Sequence, residues 1–315
     1  MTYKVFFTTD IHGSERCFRK FINAAKFYGV NAIILGGDIT GKAVVPIIKT
    51  KSGYTVNLSG KQHDLAEDGL DAAQSEIRFN GLYPYVTTPE ELAEIETNPD
   101  NVKELFRKAI KVTLEQWFAL AEERLKPQNV KIYVSPGNDD EATVDEVLEG
   151  SDYVLNPDNR IVELDDGIEM LSYGYSNPTP WKSFRELPEE EMFKQLDALA
   201  GKMSYRGISI FNTHVPPYNS TIDLAPKLDS TLKPVASGGQ IVMDSVGSKA
   251  IRQAIEKYQP TLGLHGHIHE SSGAVRIKKC LCVNPGSEYN DGILKGVIVA
   301  LDKNKKKVDY QLTVG

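Results

Sequence analysis

Near its start the chain reads Val5-Phe6-Phe7-Thr8-Thr9-Asp10-Ile11-His12-Gly13-Ser14. An apolar, β-rich run passes directly into polar residues, and a helical pattern then begins after Ser14 and ends before Gly29. Polar residues likewise follow four later strand-like runs: Ala32–Leu35, Lys131–Ser135, Ile208–Asn212 and Thr261–Leu264. This alternation predicts an α/β protein built on a sheet.

The stretch between the second and third runs is longer than a simple crossover requires. Within Gly41–Pro84, the segments Val44–Lys49 and Tyr54–Leu58 flank a Thr-Lys-Ser-Gly turn and predict a hairpin. Asn98-Pro99 begins the longest predicted helix, which ends before Pro127. We therefore expect one domain over residues 1–315 with an insertion at about 41–121. Two further hairpins are predicted within Arg160–Gly174 and Val275–Val314.

Composition excludes several classes of protein. Of the 315 residues, 41% are hydrophobic and 25% charged, and no stretch approaches the ~20 apolar residues that a membrane span needs. The chain has no basic leader with an apolar stretch behind it, so we expect a cytoplasmic protein. A net charge of −7 argues against a nonspecific nucleic-acid coat but is compatible with a local basic groove. The three cysteines, Cys17, Cys280 and Cys282, form no disulfide framework and are expected to be small buried side chains.

Five of the six histidines follow strand-like runs. In α/β sheets ligands bind beyond the carboxyl ends of the strands, where residues distant in sequence converge. The candidate metal ligands there are Asp10, His12, Asp38, Asn138, His214, His267 and His269. Mixed oxygen and nitrogen donors suit manganese, iron, zinc or nickel, and seven ligands are too many for one ion. We expect two divalent or trivalent ions that share Asp38 as a bridging carboxylate.

The spacing of these residues resembles a known family signature. Asp10-x-His12, Gly37-Asp38, Gly137-Asn138, His214 and Gly266-His267-x-His269 stand in the order found in calcineurin-like metallophosphoesterases. Asn284-Pro285-Gly286-Ser287, His214-Val215-Pro216-Pro217 and the loop from Ser176 to Trp181 further resemble its small bacterial and archaeal Icc-related branch. The resemblance covers most of the chain except Gly41–Ala121. It implies a two-sheet αββα sandwich that carries an inserted hairpin and helical segment.

The resemblance also implies the chemistry. Asp10, His12, Asp38 and His269 would hold one ion, and Asp38, Asn138, His214 and His267 the other. A hydroxide bridging the ions would attack phosphorus in line, so the chain is interpreted as a dinuclear phosphoesterase acting on a small-molecule phosphate ester. The candidate catalytic residues are Asn138, Asp139 and His214.

Asp139 departs from the family pattern. Many phosphomonoesterases of the superfamily have a histidine there, usually assigned to protonation of the leaving group, whereas an ordinary aspartate is ionised at neutral pH. The departure favours a phosphodiesterase, with a phosphomonoesterase or a nuclease as alternatives. A non-catalytic scaffold is less favoured because all seven positions carry residues able to bind metal.

Three further residues have alternative interpretations. His265 either supports the metal ligands or packs within its strand, and Arg185 either clamps a substrate phosphate or is an ordinary surface arginine. His63 is expected to lie on the surface.

Overall fold

Two six-stranded sheets pack face to face with helices against both outer faces, in a computed structural model that describes residues 2–58 and 60–315. The strands are β1 (Thr2–Thr8), β2 (Ala32–Gly36), β3 (Val44–Thr50), β4 (Gly53–Leu58), β5 (Lys61–Leu65), β6 (Tyr83–Thr87), β7 (Lys131–Ser135), β8 (Val154–Leu155), β9 (Ile161–Asp165), β10 (Ile168–Tyr173), β11 (Ile208–Thr213), β12 (Leu224–Pro226), β13 (Ala236–Ser237), β14 (Gln240–Ile241), β15 (Met243–Ser245), β16 (Leu262–Leu264), β17 (Gly273–Ile277), β18 (Cys280–Asn284), β19 (Lys295–Asp302) and β20 (Lys307–Val314). The helices are α1 (Glu15–Tyr28), α2 (Leu70–Phe79), α3 (Pro89–Glu96), α4 (Pro99–Leu125), α5 (Thr143–Glu149), α6 (Glu189–Ala200) and α7 (Lys249–Tyr258). The predicted αββα sandwich is confirmed.

The strand orders explain how distant residues meet. The first sheet has the order β20-β19-β1-β2-β7-β8, and the second has the order β17-β18-β16-β11-β10-β9. Strands β1, β2 and β7 run parallel, as do β10, β11, β16 and β18. Parallel strands end at the same edge of a sheet, so the loops that follow them converge.

The core lies in three layers, because both faces of each sheet are covered. Val5 and Phe7 of β1 point between the sheets, where they meet Met170 and Ile210 of the second sheet. Phe6, between them in sequence, points to the opposite face and packs in the cluster formed with α1 and α4. Full burial of one such side chain contributes about 1.5–3 kcal/mol. Burial on both faces explains why β1 is an almost continuous apolar run.

Helix α1 begins and ends where the sequence predicts. The Ser14 side chain accepts a hydrogen bond from the amide of Cys17, and Gly29 closes the helix in the left-handed conformation at φ 60°. Helix α4 begins after Asn98, as predicted, and is the longest described helix at 27 residues. Its buried stripe includes Ile110, Leu114 and Trp117. No helix in residues 2–58 and 60–315 has the length and apolar character needed to cross a membrane.

The inserted segment builds a sheet of its own. The predicted hairpin is confirmed by antiparallel pairing of β3 with β4, in which Ile47 stands opposite Val56. Two further strands complete the order β5-β4-β3-β6, and α2 packs against it through Ile77. Strands β5 and β6 are not predicted by the sequence pattern. Strand β5 is a polar, exposed edge strand without apolar alternation, so it lacks the signal on which strand prediction depends.

The other predicted hairpins are also confirmed. Strand β9 pairs antiparallel with β10, and β19 pairs with β20 over eight residue pairs. The three cysteines are free and buried, as expected. Cys280 and Cys282 point the same way from β18, with their sulfur atoms 3.6 Å apart.

Candidate metal centre

The loops beyond five parallel strands bring the seven predicted ligands to one place. Asp10 and His12 follow β1, Asp38 follows β2, Asn138 follows β7, His214 follows β11, and His267 and His269 follow β16. Backbone hydrogen bonds join these loops, since the Asp10 amide donates to Gly37 at 2.9 Å and the Gly266 amide donates to His214 at 2.8 Å. Donors from both sheets therefore face a common centre.

Asp10, His12 and His269 form the first cluster, in which one donor atom from each lies within 4.8 Å of the others. The Nε2 atoms of His12 and His269 are 3.2 Å apart, and His269 Nε2 is 3.5 Å from Asp10 Oδ1. Two nitrogens bound to one ion at ~2.0–2.1 Å would have about this separation. The spacing therefore fits the first ligand set that the resemblance implies.

Asp38, His214 and His267 form the second cluster. His214 Nε2 lies 3.0 Å from Asn138 Oδ1, which places the fourth predicted ligand beside it. Asp38 Oδ2 is 3.4 Å from His214 Nε2 and 3.7 Å from His12 Nε2 of the first cluster. This single oxygen faces both clusters, the position that a bridging carboxylate requires.

The orientation of His214 is set by a backbone group. Its Nδ1 lies 3.0 Å from the carbonyl oxygen of Gly36 and can only donate there, which leaves Nε2 free to offer an electron pair to the centre. The side-chain amide nitrogen of Asn138 donates to Asp139 Oδ1, so the Oδ1 atom of Asn138 faces His214 Nε2. This 3.0 Å contact is favourable when a positive charge, either a proton on Nε2 or a metal ion, lies between the ring and Asn138 Oδ1. The donor set therefore fits a cation.

The protonation of the site favours the same interpretation. Burial lowers the pKa of His12 and of His267 to about 4, so both rings are neutral at pH 7. Burial opposes ionisation of Asp10, but the hydrogen bond from His269 and the nearby histidine charges lower its pKa to about 2. The pKa of Asp38 also lies well below its ordinary value, because His214 outweighs the effect of burial. Neutral imidazoles beside ionised carboxylates are the protonation states that bind metal.

The carboxylates of Asp38 and Asp10 favour the protonated, positively charged form of His214. Burial alone would lower the pKa of His214, but Asp38 and Asp10 raise it to about 10. Both carboxylates are buried, so water screens their field only weakly. A metal ion would offset this field without requiring a proton on the ring.

Four of the predicted ligands have unusual backbone conformations. Asp10, His12, Asp38 and His267 have positive φ angles of 53°, 41°, 50° and 65°. Non-glycine residues adopt this left-handed region rarely, and each instance costs roughly 1–3 kcal/mol. The hydrogen bonds between the loops hold these residues in place. Such strain is typical of functional sites, where the surrounding structure fixes the direction of the side chains.

Glycines beside the candidate ligands leave room for neighbouring side chains of the site. A Cβ atom on Gly137 would overlap the Asp38 carboxylate, and one on Gly266 would overlap Asp10 and Thr9. The space is therefore occupied by neighbouring ligand side chains rather than by substrate.

Asp140 is a supporting residue that the sequence analysis did not single out. Its buried carboxylate accepts hydrogen bonds from the amides of Ile39, Thr40 and Gly137 and from the Thr40 hydroxyl, at 2.7–3.1 Å. Burial raises its pKa to about 6, opposed by these donors. The residue therefore ties the loop of Asp38 to the loop of Asn138. No local pattern marks it, since its partners at Ile39 and Thr40 are about 100 positions away.

Asp139 lies at the outer edge of the centre, partly exposed. Its Oδ1 accepts a hydrogen bond from Ser183 at 2.7 Å, and its Oδ2 lies 3.1 Å from Lys42 Nζ. One of its oxygens also lies within 4.8 Å of donor atoms on His12 and Asp38. Lys42 and Ser183 were both missed, because Lys42 lies in the insertion and Ser183 lies just beyond the Ser176–Trp181 stretch that the resemblance marks.

Arg185 and His265 support the structure rather than touching substrate. Arg185 is only 8% exposed, its Nε donates to the carbonyl of Asp140 at 2.8 Å, and its Nη2 pairs with Asp145. The interpretation as an ordinary surface arginine is therefore wrong. His265 is fully buried with Nδ1 2.9 Å from the Thr213 hydroxyl, so the packed interpretation is correct. His63 lies on the surface, as expected.

The segment that follows β18 supports the ligand loops. The Ser287 hydroxyl donates to the carbonyl of Asp10 at 2.7 Å. The Asn284 amide donates to the carbonyls of Gly266 and Ile268, on either side of His267. These contacts give a physical role to the Asn284–Ser287 stretch that the resemblance had already marked.

Comparison with known proteins supports the architecture. No protein-family model matches the chain. An uncharacterized protein of Methanocaldococcus jannaschii is 30% identical over 160 residues, which cover 50% of this chain and 64% of that protein. Two solved structures each cover 99% of this chain and are themselves 99% covered. One is 15% identical with a TM-score of 0.56, and the other, the protein TT1561 of Thermus thermophilus, is 14% identical with a TM-score of 0.52.

At sequence identities of 15% and 14%, these structural similarities are evidence for a shared fold alone. The two sheets, their outer helices and the order of the loops agree with the architecture that the sequence predicts. The chain has the two-sheet αββα sandwich fold that its sequence predicts, and two solved structures share its fold.

Proposed function

We propose that this chain is a dinuclear metal-dependent phosphoesterase that hydrolyses a phosphodiester of a small molecule. The observation that carries the proposal is the position of Asp38 Oδ2, which faces both ligand clusters at 3.4 and 3.7 Å. A site for one ion would not need a carboxylate shared in this way. Two-metal sites of this kind are typical of enzymes that hydrolyse phosphate esters.

The residues divide between the two ions as the resemblance implies. Asp10, His12, Asp38 and His269 would hold one ion, and Asp38, Asn138, His214 and His267 the other. Bound together, such ions neutralise charge on the phosphoryl oxygens and lower the pKa of water. Iron, manganese, zinc and nickel all suit these ligands.

The chain's own residues orient and enclose the reaction. Gly36 fixes the His214 tautomer, and Asp140 fixes the spacing between the Asp38 and Asn138 loops. His267 and His269 are the partly exposed ligands, so substrate approaches from their side. Lys42, at the outer edge, places an ammonium group where it can attract the anionic substrate.

The surroundings of Asp139 favour a diester substrate. Asp139 accepts hydrogen bonds from Ser183 and from Asn138 and pairs with Lys42, which are the contacts of an ionised carboxylate. An ionised carboxylate has no proton to give to a poor leaving group. Activated esters need little help of this kind, and proton donation by a general acid is typically worth roughly 10²–10⁴-fold.

Replacing Asp139 with Asn tests this view. If Asp139 is an ionised acceptor, we expect hydrolysis of bis-p-nitrophenyl phosphate to stay within about tenfold of the unmodified protein. Measured kcat for aryl and alkyl leaving groups gives the answer. Metal content must be measured in parallel because Asp139 adjoins Asn138. A loss of about 10² or more confined to poor leaving groups would instead make Asp139 the acid.

An activity screen tests the function itself. Protein loaded separately with Mn²⁺, Ni²⁺, Zn²⁺ or Mg²⁺ is incubated with bis-p-nitrophenyl phosphate and with p-nitrophenyl phosphate. We expect faster turnover of the diester with at least one transition metal. A preference for the monoester would contradict the proposed substrate class, and inactivity on both esters in fully loaded protein would favour a non-catalytic scaffold.

A further inference from the structure

Two large aromatic side chains stand exposed on a loop beside the metal centre. This loop comprises residues 177–186 and is called the Trp181 loop below. Trp181 is 67% exposed and Phe184 is 66% exposed. Large aromatic side chains gain free energy when they leave water, so a pair of them on one short loop suggests a surface that is covered by something else.

The Trp181 loop touches the centre directly. The Ser183 hydroxyl donates to Asp139 at 2.7 Å, and the amide of Asp139 donates in turn to Asp38 at 2.9 Å. The amide of Arg185 donates to the carbonyl of Asn138 at 3.1 Å. Ser183 lies between the two aromatic residues in sequence. Since consecutive Cα atoms are about 3.8 Å apart, both aromatic residues lie within two positions of a side chain that contacts Asp139.

The loop is held in shape by its own hydrogen bonds. The Glu186 carboxylate accepts from the amide and hydroxyl of Thr179 and from the amide of Ser183, at 2.5–3.0 Å. Buried Arg185 anchors the loop to the Asp140 carbonyl. Lys182 has a left-handed backbone at φ 53°, between Trp181 and Ser183. The aromatic side chains are thus presented on an ordered support, which lowers the entropy lost when a ligand binds.

We propose that Trp181 and Phe184 bind a planar aromatic group on the substrate, of the kind found in a nucleobase or an aryl ester, while its phosphate lies at the metal centre. The inference rests on the proposed function and narrows its substrate class. Aromatic side chains stack on flat rings whatever the substituents of the ring, whereas sugars and alkyl chains offer no flat aromatic face. Lys42 contacts Asp139 at its other carboxylate oxygen, where it can meet the charge of the phosphate.

The size of the effect follows from stacking. Removal of an aromatic partner typically weakens base binding by ~1–3 kcal/mol, which corresponds to roughly 5- to 150-fold in affinity. We expect Trp181→Ala to weaken binding of an aromatic phosphate by a factor in this range. The same substitution should leave binding of a phosphate without a ring within about twofold.

Tryptophan fluorescence reports this contact without relying on turnover. The chain has two tryptophans, and Trp117 is only 4% exposed, stacked on Phe18 and part of a different cavity, whereas Trp181 is 67% exposed. Loss of the quenching signal in Trp181→Ala therefore identifies the tryptophan that the ligand contacts. Metal-loaded protein is titrated with AMP, with phenyl phosphate and with ribose 5-phosphate. We expect saturable quenching by AMP and none by ribose 5-phosphate. Quenching by AMP but not by phenyl phosphate would identify a nucleobase as the preferred ring.

Calorimetric titration of the variants completes the test. Trp181→Ala and Phe184→Ala should each weaken AMP binding, while Phe27→Ala, at an 81% exposed aromatic residue at the end of α1, should not. Equal affinities for AMP and ribose 5-phosphate in all variants would overturn the inference, even in an active phosphodiesterase. Saturable AMP quenching in protein that hydrolyses no ester would instead retain the aromatic site and refute the proposed function.

Discussion

Asp38→Asn should abolish turnover and weaken both metal sites together. Asp38 is the only one of the seven predicted ligands assigned to both ions, and it supplies negative charge that offsets the repulsion between them. Loss of even an outer partner of a metal ligand costs roughly 10–100-fold in affinity or activity, so we expect a loss of more than about 100-fold here. Metal content by mass spectrometry and kcat with bis-p-nitrophenyl phosphate measure the two effects.

The matched control for Asp38 is Asp71→Asn, at an exposed aspartate on α2 of the insertion. It changes the net charge by the same amount and should leave metal content and kcat unchanged. If Asp38→Asn retained two ions per chain and full activity, the bridging role would be refuted. If it lost one ion only, Asp38 would belong to a single site.

Asp140→Asn should reduce metal affinity by roughly 10–100-fold without touching a ligand. The asparagine amide would present two donors to a position where four donors already converge, so at least one buried amide near Ile39 or Gly137 would lose its partner. An unsatisfied buried donor costs about 1–3 kcal/mol. We therefore expect a lower Tm. We also expect the distance between the loops that carry Asp38 and Asn138 to increase and to vary more.

Calorimetric titration of the metal-free protein with Mn²⁺ gives the affinity, and thermal unfolding gives the Tm. Asp152→Asn, an exposed aspartate beyond α5, is the control and should change neither quantity. A lower Tm with unchanged metal affinity would mean that Asp140 stabilises the fold but does not position the ligands.

The sequence predicted the main strands and the convergence of the candidate ligand residues well. Each parallel strand is a short apolar run with a polar exit, and the bounds of β7 were predicted at both ends. Parallel strands of one sheet end together, so the pattern explains why Asp10 lies near Asp38 and His214 near His267. The meeting of these two pairs depends on how the two sheets pack against each other. The hairpin of β3 and β4 was found for a similar reason, since a clear turn lies between two apolar segments.

The supporting contacts could not be predicted, because they depend on side chains far apart in sequence. Asp140 meets Thr40 across 100 positions, and Asp139 meets Ser183 across 44. No periodicity marks such pairs, which exist only after the sheets have formed. Strand β5 was missed for another reason, since its pairing with β4 relies on backbone hydrogen bonds and not on apolar side chains.

Metal stoichiometry combined with a crystal structure of the metal-loaded protein tests the central claim most directly. The dinuclear account predicts two ions per chain, with Asp38 oxygen atoms ~2.0–2.2 Å from both. A single ion per chain, or two ions of which only one touches Asp38, would contradict it.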